Sequence, residues 1–251
     1  MRHISWVLGT ALVVSACGRQ GVSPASPDTR VEDYRAAPPA AAQPSPPPAE
    51  NQQAARLLAA RTVEAFEALE SMRATVHTTD LDPADGDLYK GILDVHYQAP
   101  AKFMFTVKPG SRHNVGTKMA FEDGDTHISV RPGGMLGFAK VKLPVDDKRV
   151  QTSRGFPIMA ITQKSMVGRL KHPKAIVGLL GEASLEGKPV QVLSVTGPVL
   201  PKGATEEWVY ADKTTALPLR GELRIGKQVV FSTTLKDFQP NAQLPKGVFD
   251  L

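Results

Sequence analysis

One cysteine in 251 residues, Cys17, is too few for an internal disulfide. A single thiol also falls short of the several Cys or His ligands that structural zinc sites take. Catalytic signatures are missing too: there is no Gly-x-Ser-x-Gly elbow, no phosphate-binding loop and no His-Glu-x-x-His pair. The histidines at 77, 96, 113, 127 and 172 are not spaced as a ligand pair on one helix, and they read as ordinary surface side chains. No apolar run reaches the roughly 20 residues that a bilayer-spanning helix needs. No fixed-period repeat is present either. The 30 Lys and Arg against 25 Asp and Glu leave a surplus too small and too dispersed for nucleic-acid binding. These absences lead to the expectation of a non-enzymatic chain with no cofactor and no metal, stabilised by a hydrophobic core.

What is present starts at the N-terminus. Residues 1–16 combine Arg2 and His3 with an apolar run from Trp6 to Val14 and the small residues Ser15 and Ala16. That is the make-up of a secretory signal peptide. Val14-Ser15-Ala16-Cys17 resembles the bacterial lipobox, and the resemblance implies lipid attachment to Cys17 before cleavage. Stable anchoring takes two or more acyl chains, which such processing provides. The expected place is therefore the cell envelope, with membrane attachment through the lipid. Gly18, where the inner-membrane retention mark would be Asp, favours the outer membrane facing the periplasm by the same resemblance.

Residues 17–50 comprise the lipidated Cys and a Pro-, Ala- and Ser-rich stretch with only Val22, Val31 and Tyr34 as bulky apolar or aromatic side chains. Such a segment buries too little surface to offset its ordering entropy and reads as a disordered tether. Residues 51–251 are one domain's worth of chain. The segment 50–72 predicts a helix, with Leu58, Thr62, Ala65, Leu69 and Met72 along one stripe and Phe66 beside it.

From Arg73 the period changes to two. Leu93, Val95 and Tyr97 fall on one side of a strand, Phe103, Phe105 and Val107 on one side of the next, and Ile128 and Val130 on another. A second helix is predicted over 158–171, where Met159, Met166, Val167 and Leu170 share an arc. Four further strands follow, near 189–197, 206–212, 216–225 and 227–239. The last two form a hairpin at Gly226-Lys227 in which Leu219, Leu223, Phe231 and Leu235 alternate with polar residues and Val230 breaks the pattern. The fold class is mainly β (α+β): a curved, unclosed antiparallel sheet, one face apolar, with helices covering its concave side.

The C-terminal stretch "EEWVYADKTTALPLRGELRIGKQVVFSTTLKDFQPNAQLPKGVFDL" resembles the LolA/LolB superfamily, which includes RseB-type sensors and mycobacterial carriers related to LppX. The carrying features are Trp208, Asp212, Leu217-Pro218-Leu219, Glu222, Asp237, Asn241, Leu244 and Phe249. The resemblance implies a half-barrel whose space between sheet and helices holds acyl chains of a lipid or an acylated protein. The expected ligand wall is Leu93, Val95, Tyr97, Phe103 and Phe105 with Leu219, Leu223, Phe231 and Leu235. Leu58, Leu69 and Met72 face it from the helix. A different reading stays open, in which the core fills itself and the surface docks an envelope protein partner.

Two charged runs complete the inventory. "DLDPADGD", Asp80 to Asp87, departs from the spacing of a calcium-binding EF-hand loop and reads as a solvated hairpin tip. "KSMVGRLKHPK", Lys164 to Lys174, reads as a solvated helix face that could also touch anionic headgroups.

Overall fold

A computed structural model describes residues 49–251 apart from 112 and 113. The expected signal peptide, Cys17 and the tether up to residue 48 lie outside the described residues.

The first element is a helix, α1 (Ala49–Glu67). Ala55, Leu58, Ala59, Thr62 and Phe66 are buried along its length, as the 3.6-residue period requires. It ends five residues before the sequence pattern does. Ala68 still donates to Glu64 in helical fashion, but Leu69 turns back to Phe66. The Asn241 side chain then takes the Glu70 amide, and the Asn241 amide donates to Ser71. Capture by the C-terminal segment pulls the chain out of the helix, so Met72 lies in a strand. Its spacing matched the helix stripe, yet it is a sheet residue, fully buried.

Eleven strands follow: β1 (Ser71–Leu81), β2 (Leu88–Gln98), β3 (Lys102–Val107), β4 (Lys118–Glu122), β5 (His127–Arg131), β6 (Val141–Pro144), β7 (Ile176–Leu185), β8 (Lys188–Thr196), β9 (Glu206–Asp212), β10 (Pro218–Ile225) and β11 (Gln228–Pro240). They form one antiparallel sheet in the order β6-β5-β4-β3-β2-β1-β11-β10-β9-β8-β7. Two meanders meet where β1 pairs with β11, at the centre. The outer strands β6 and β7 do not pair with each other, so the sheet is open, in agreement with an unclosed half-barrel. β3 and β9 coincide with the segments expected from sequence. β4, β6 and β7 were not marked by it.

The expected helix over 158–171 is two pieces: a 3-10 turn, Ile158–Ile161, and α2 (Gln163–Leu170). Thr162 separates them in an extended conformation and caps α2, its Oγ1 accepting from the Ser165 amide at 3.2 Å. Met159 therefore sits in the turn, while Met166, Val167 and Leu170 are buried on α2.

Two β-bulges reset the alternation in the last hairpin. Between Pro218 and Arg220 the β10–β9 register shifts, which leaves Leu219 as the extra residue. Leu219 packs with Val190, Val192 and Tyr210, away from the helices; its expected place on the wall beside Leu223 is thus overturned by the bulge. Between Leu223 and Arg224 the β10–β11 register shifts at Val230, which joins Leu223, Phe231 and Phe156 in one cluster. The Val230 exception in the sequence pattern is this bulge.

Candidate functional site

Register decides which side chains look at the helices. Pairing sets Met72 opposite Tyr97, Ala74 opposite Val95, Tyr97 opposite Phe103 and Val95 opposite Phe105, all on one face. Leu69, Met72, Val95, Tyr97, Phe103, Phe105 and Leu235 share one core cluster with Phe66 of α1, and Leu93 packs on it. An aromatic chain runs through it. Ring centroids are 5.4 Å apart for Phe66–Tyr97, 4.9 Å for Tyr97–Phe103 and 5.3 Å for Phe103–Phe121. The Tyr97 hydroxyl donates to the Pro100 carbonyl at 3.2 Å, and burial raises its pKa, with Asp123 and Glu67 adding to the effect.

The remaining wall residues lie elsewhere. Leu58 packs in a second cluster with Met166, Leu170, Leu193, Val195 and Val209. Leu223 and Phe231 form a third with Phe156, and Leu219 is on the far side. Eleven of the twelve expected side chains thus sit in the apolar clusters between sheet and helices, but not as one continuous wall. Val95 and Met72 are 0% exposed and Phe103 1%, so protein surrounds them on every side. Beside Leu223 and Phe231 is a void of about 10 Å³, room for one water at most.

That void is bounded by a buried ion pair. Arg169 of α2 donates through Nε and Nη2 to the Glu207 carboxylate of β9 at 2.7 and 2.6 Å, and through Nη1 to the Ala160 carbonyl. The basic run is therefore not a free cationic face. Arg169 is buried, Lys164 pairs with Asp123 at 3.0 Å, and Lys171 pairs with Glu67 of α1.

The large cleft lies where α1 meets the α2–β7 junction and measures about 800 Å³. That falls in the range of small-molecule sites, roughly 300–1,000 Å³. Ala59, Ala60 and Val63 form its α1 wall, and Leu170, Ala175 and Val177 oppose them. Small side chains on both walls leave the space open. Arg56, Glu64, Glu67, Lys171 and His172 ring it, with the Lys171–Glu67 pair spanning the two sides. Of the expected ligand residues, none lines it. The alanine-rich run 54–60 was the one trace of it in the sequence, and β7, its far wall, was not expected at all.

The acidic run forms the β1–β2 hairpin tip. Asp82 accepts from the Ala84 amide at 2.8 Å and Asp85 from the Asp87 amide at 2.9 Å, so the turn uses these carboxylates. Among the described residues, no group of three or more His, Cys, Asp or Glu is placed to hold a metal ion. No described helix is long and apolar enough to cross a membrane.

No protein-family model matches the sequence, and no curated protein matches it. Among solved structures, the chain is similar to a DUF1329 family protein from Desulfovibrio piger (11% identity, TM-score 0.48, covering 80% of this chain and 97% of that one). It is also similar to a putative outer membrane lipoprotein-sorting protein domain from Vibrio parahaemolyticus (13%, TM-score 0.46, 80% and 97%). A third likeness is to the Mycobacterium tuberculosis lipoprotein LppX (14%, TM-score 0.46, 77% and 98%).

Proposed function

We propose that this chain is a non-enzymatic envelope lipoprotein that binds the acyl chain of a lipid or of an acylated protein, held to the outer membrane by lipid on Cys17. The observation that supports it is the cleft of about 800 Å³ between α1 and the α2–β7 junction, apolar in its walls and charged at its rim. An acyl chain would lie along Ala59, Val63 and Val177, and its polar end would meet Arg56 or His172 at the rim. A longer chain that parts α1 from β7 would reach Leu58 and the Leu193–Val209 wall behind it. Binding then rests on apolar burial, about 25 cal/mol per Å², less the cost of ordering the ligand. No covalent step is involved.

The experiment is titration of the protein with a fluorescent fatty acid. Ala60 is exposed and lines the cleft, so Ala60→Trp fills it without touching the core. Saturable binding that falls at least tenfold in Ala60→Trp is expected. Absence of saturable binding by wild type would overturn the reading. The near-complete burial of Val95, Met72 and Phe103 favours the second reading, a self-filled domain that docks an envelope protein.

A further inference from the structure

We infer that the loops at the β4–β6 corner form a docking surface for an anionic lipid bilayer, separate from the cleft and independent of any lipid on Cys17. Met135 is 95% exposed, Phe138 83% and Val115 48%, and all three are large apolar side chains. Met135 and Phe138 lie in the β5–β6 connection and Val115 in the β3–β4 connection. Antiparallel pairing puts both connections at the same end of the sheet.

The two loops are locked together. The Gly133 amide donates to Thr117 Oγ1 at 3.0 Å, and a Cβ on Gly133 would overlap the Val115 carbonyl oxygen. Only glycine allows that approach. The three apolar side chains thus project from one platform, so little ordering entropy stands against their insertion.

Charge on this corner is of one sign. Between Val107 and Phe121 and between His127 and Val145 the described residues include Lys108, Lys118, Arg131, Lys140 and Lys142, and no Asp or Glu. Lys118 stands directly opposite Arg131 across β4–β5, a like-charge pair that works against the sheet. Among the described residues, Lys108, Lys118, Lys140 and Lys142 make no salt bridge, although Lys164, Lys171, Lys213 and Lys236 do. Exposed apolar tips ringed by unpaired cations match the interfacial layer of a membrane with anionic headgroups, where apolar groups enter and lysines meet the phosphates. A protein partner would need an acidic ring around an apolar pocket. The bilayer needs no such matched shape, and the isolated tips offer none. The β1–β2 tip with Asp82, Asp85 and Asp87 lies at the same end, three strand spacings from β5 or roughly 15 Å, and confines the contact to the corner.

The test is co-sedimentation of the full chain carrying Cys17→Ser, so that no acyl anchor contributes, with vesicles of phosphatidylcholine containing 0 to about 40% phosphatidylglycerol, a range spanning weak to strong surface potential. Binding should rise with phosphatidylglycerol, fall with salt, and drop about tenfold or more in Met135→Ser/Phe138→Ser. Both positions are exposed, so the thermal midpoint should hold. Lys140→Glu/Lys142→Glu, which keeps both apolar tips, should lose the phosphatidylglycerol dependence. Equal binding by the Ser pair, or no binding at any composition, overturns the inference. Self-association that the Ser pair abolishes, without vesicle binding, also overturns it and assigns the corner to a second copy of the chain. Fatty-acid titration of the same variants reads the cleft separately.

Discussion

Arg169 and Glu207 are joined through two hydrogen bonds of 2.7 and 2.6 Å, and both are buried between α2 and β9. A bidentate geometry of this kind fixes the rotation of α2 against the sheet as well as its distance. Replacing one partner strands the other charge in the interior. Arg169→Leu is expected to cost about 3–5 kcal/mol, read from urea denaturation. The double change Arg169→Leu/Glu207→Leu should recover most of that loss, because a matched apolar pair leaves no buried charge. A double variant as unstable as the single one would show that the pair is needed for reasons beyond charge compensation.

Phe103 offers a measure of how full the interior is. It contacts Tyr97, Phe105 and Phe121 and is 1% exposed. Phe103→Ala should cost about 3–5 kcal/mol through the cavity it leaves. A loss near 1 kcal/mol, also by urea denaturation, would mean that the neighbouring wall is loosely packed in solution and open to an acyl chain without movement of α1.

His96 couples stability to pH. It is buried, its Nδ1 has no hydrogen-bond partner, and burial lowers its pKa, with Asp94 opposing and Arg73 adding. The unfolded chain therefore takes up this proton at a higher pH than the folded one. The contribution of neutral His96 is complete above the unfolded value of about 6.5 and is lost as the pH falls toward the depressed folded value. The thermal midpoint should decline between pH 7.5 and 5.5, and less steeply in His96→Gln. Equal slopes would remove His96 as the source.

In the proposed function, anchoring rests on Cys17. Cys17→Ser should abolish incorporation of a labelled fatty acid, whereas equal labelling of the variant would place the modification elsewhere. Release from the membrane fraction then depends on the β4–β6 corner, which binds more weakly than a double acyl anchor.

The strands written as alternation were legible. "KFMFTV" and "EEWVYAD" give β3 and β9 residue for residue, the first because Phe103, Phe105 and Val107 recur at every second position. β7 was not legible: Gly178 and Gly181 dilute its apolar run, and its register shifts between Leu179 and Gly181, which spoils the alternation. Met72 was misplaced because a spacing of three from Leu69 suits a helix, and only the distant Asn241 ends that helix. The cleft escaped notice for a related reason. It is made by what is small, Ala59, Ala60 and Ala175, and by the meeting of segments far apart in the chain. Leu219 went to the wrong face because a bulge adds one residue without any mark in the apolar pattern.

The pairing of β1 with β11 has a consequence for assembly. The first strand of the sheet can complete its ladder only when the last one arrives, and every intermediate shorter than the whole chain leaves β1 with one bare edge at what becomes the middle of the sheet. Contacts so distant in sequence slow folding and keep aggregation-prone edges open while it proceeds. Two half-sheets, β1–β6 and β7–β10, must wait for β11 as the seam between them. A chain ended before Gln228 would keep both halves and lose the seam. It is expected to lose the single cooperative transition and to associate through the edges of β1 and β10. In this architecture the final thirteen-residue strand acts as the closing step of the whole domain.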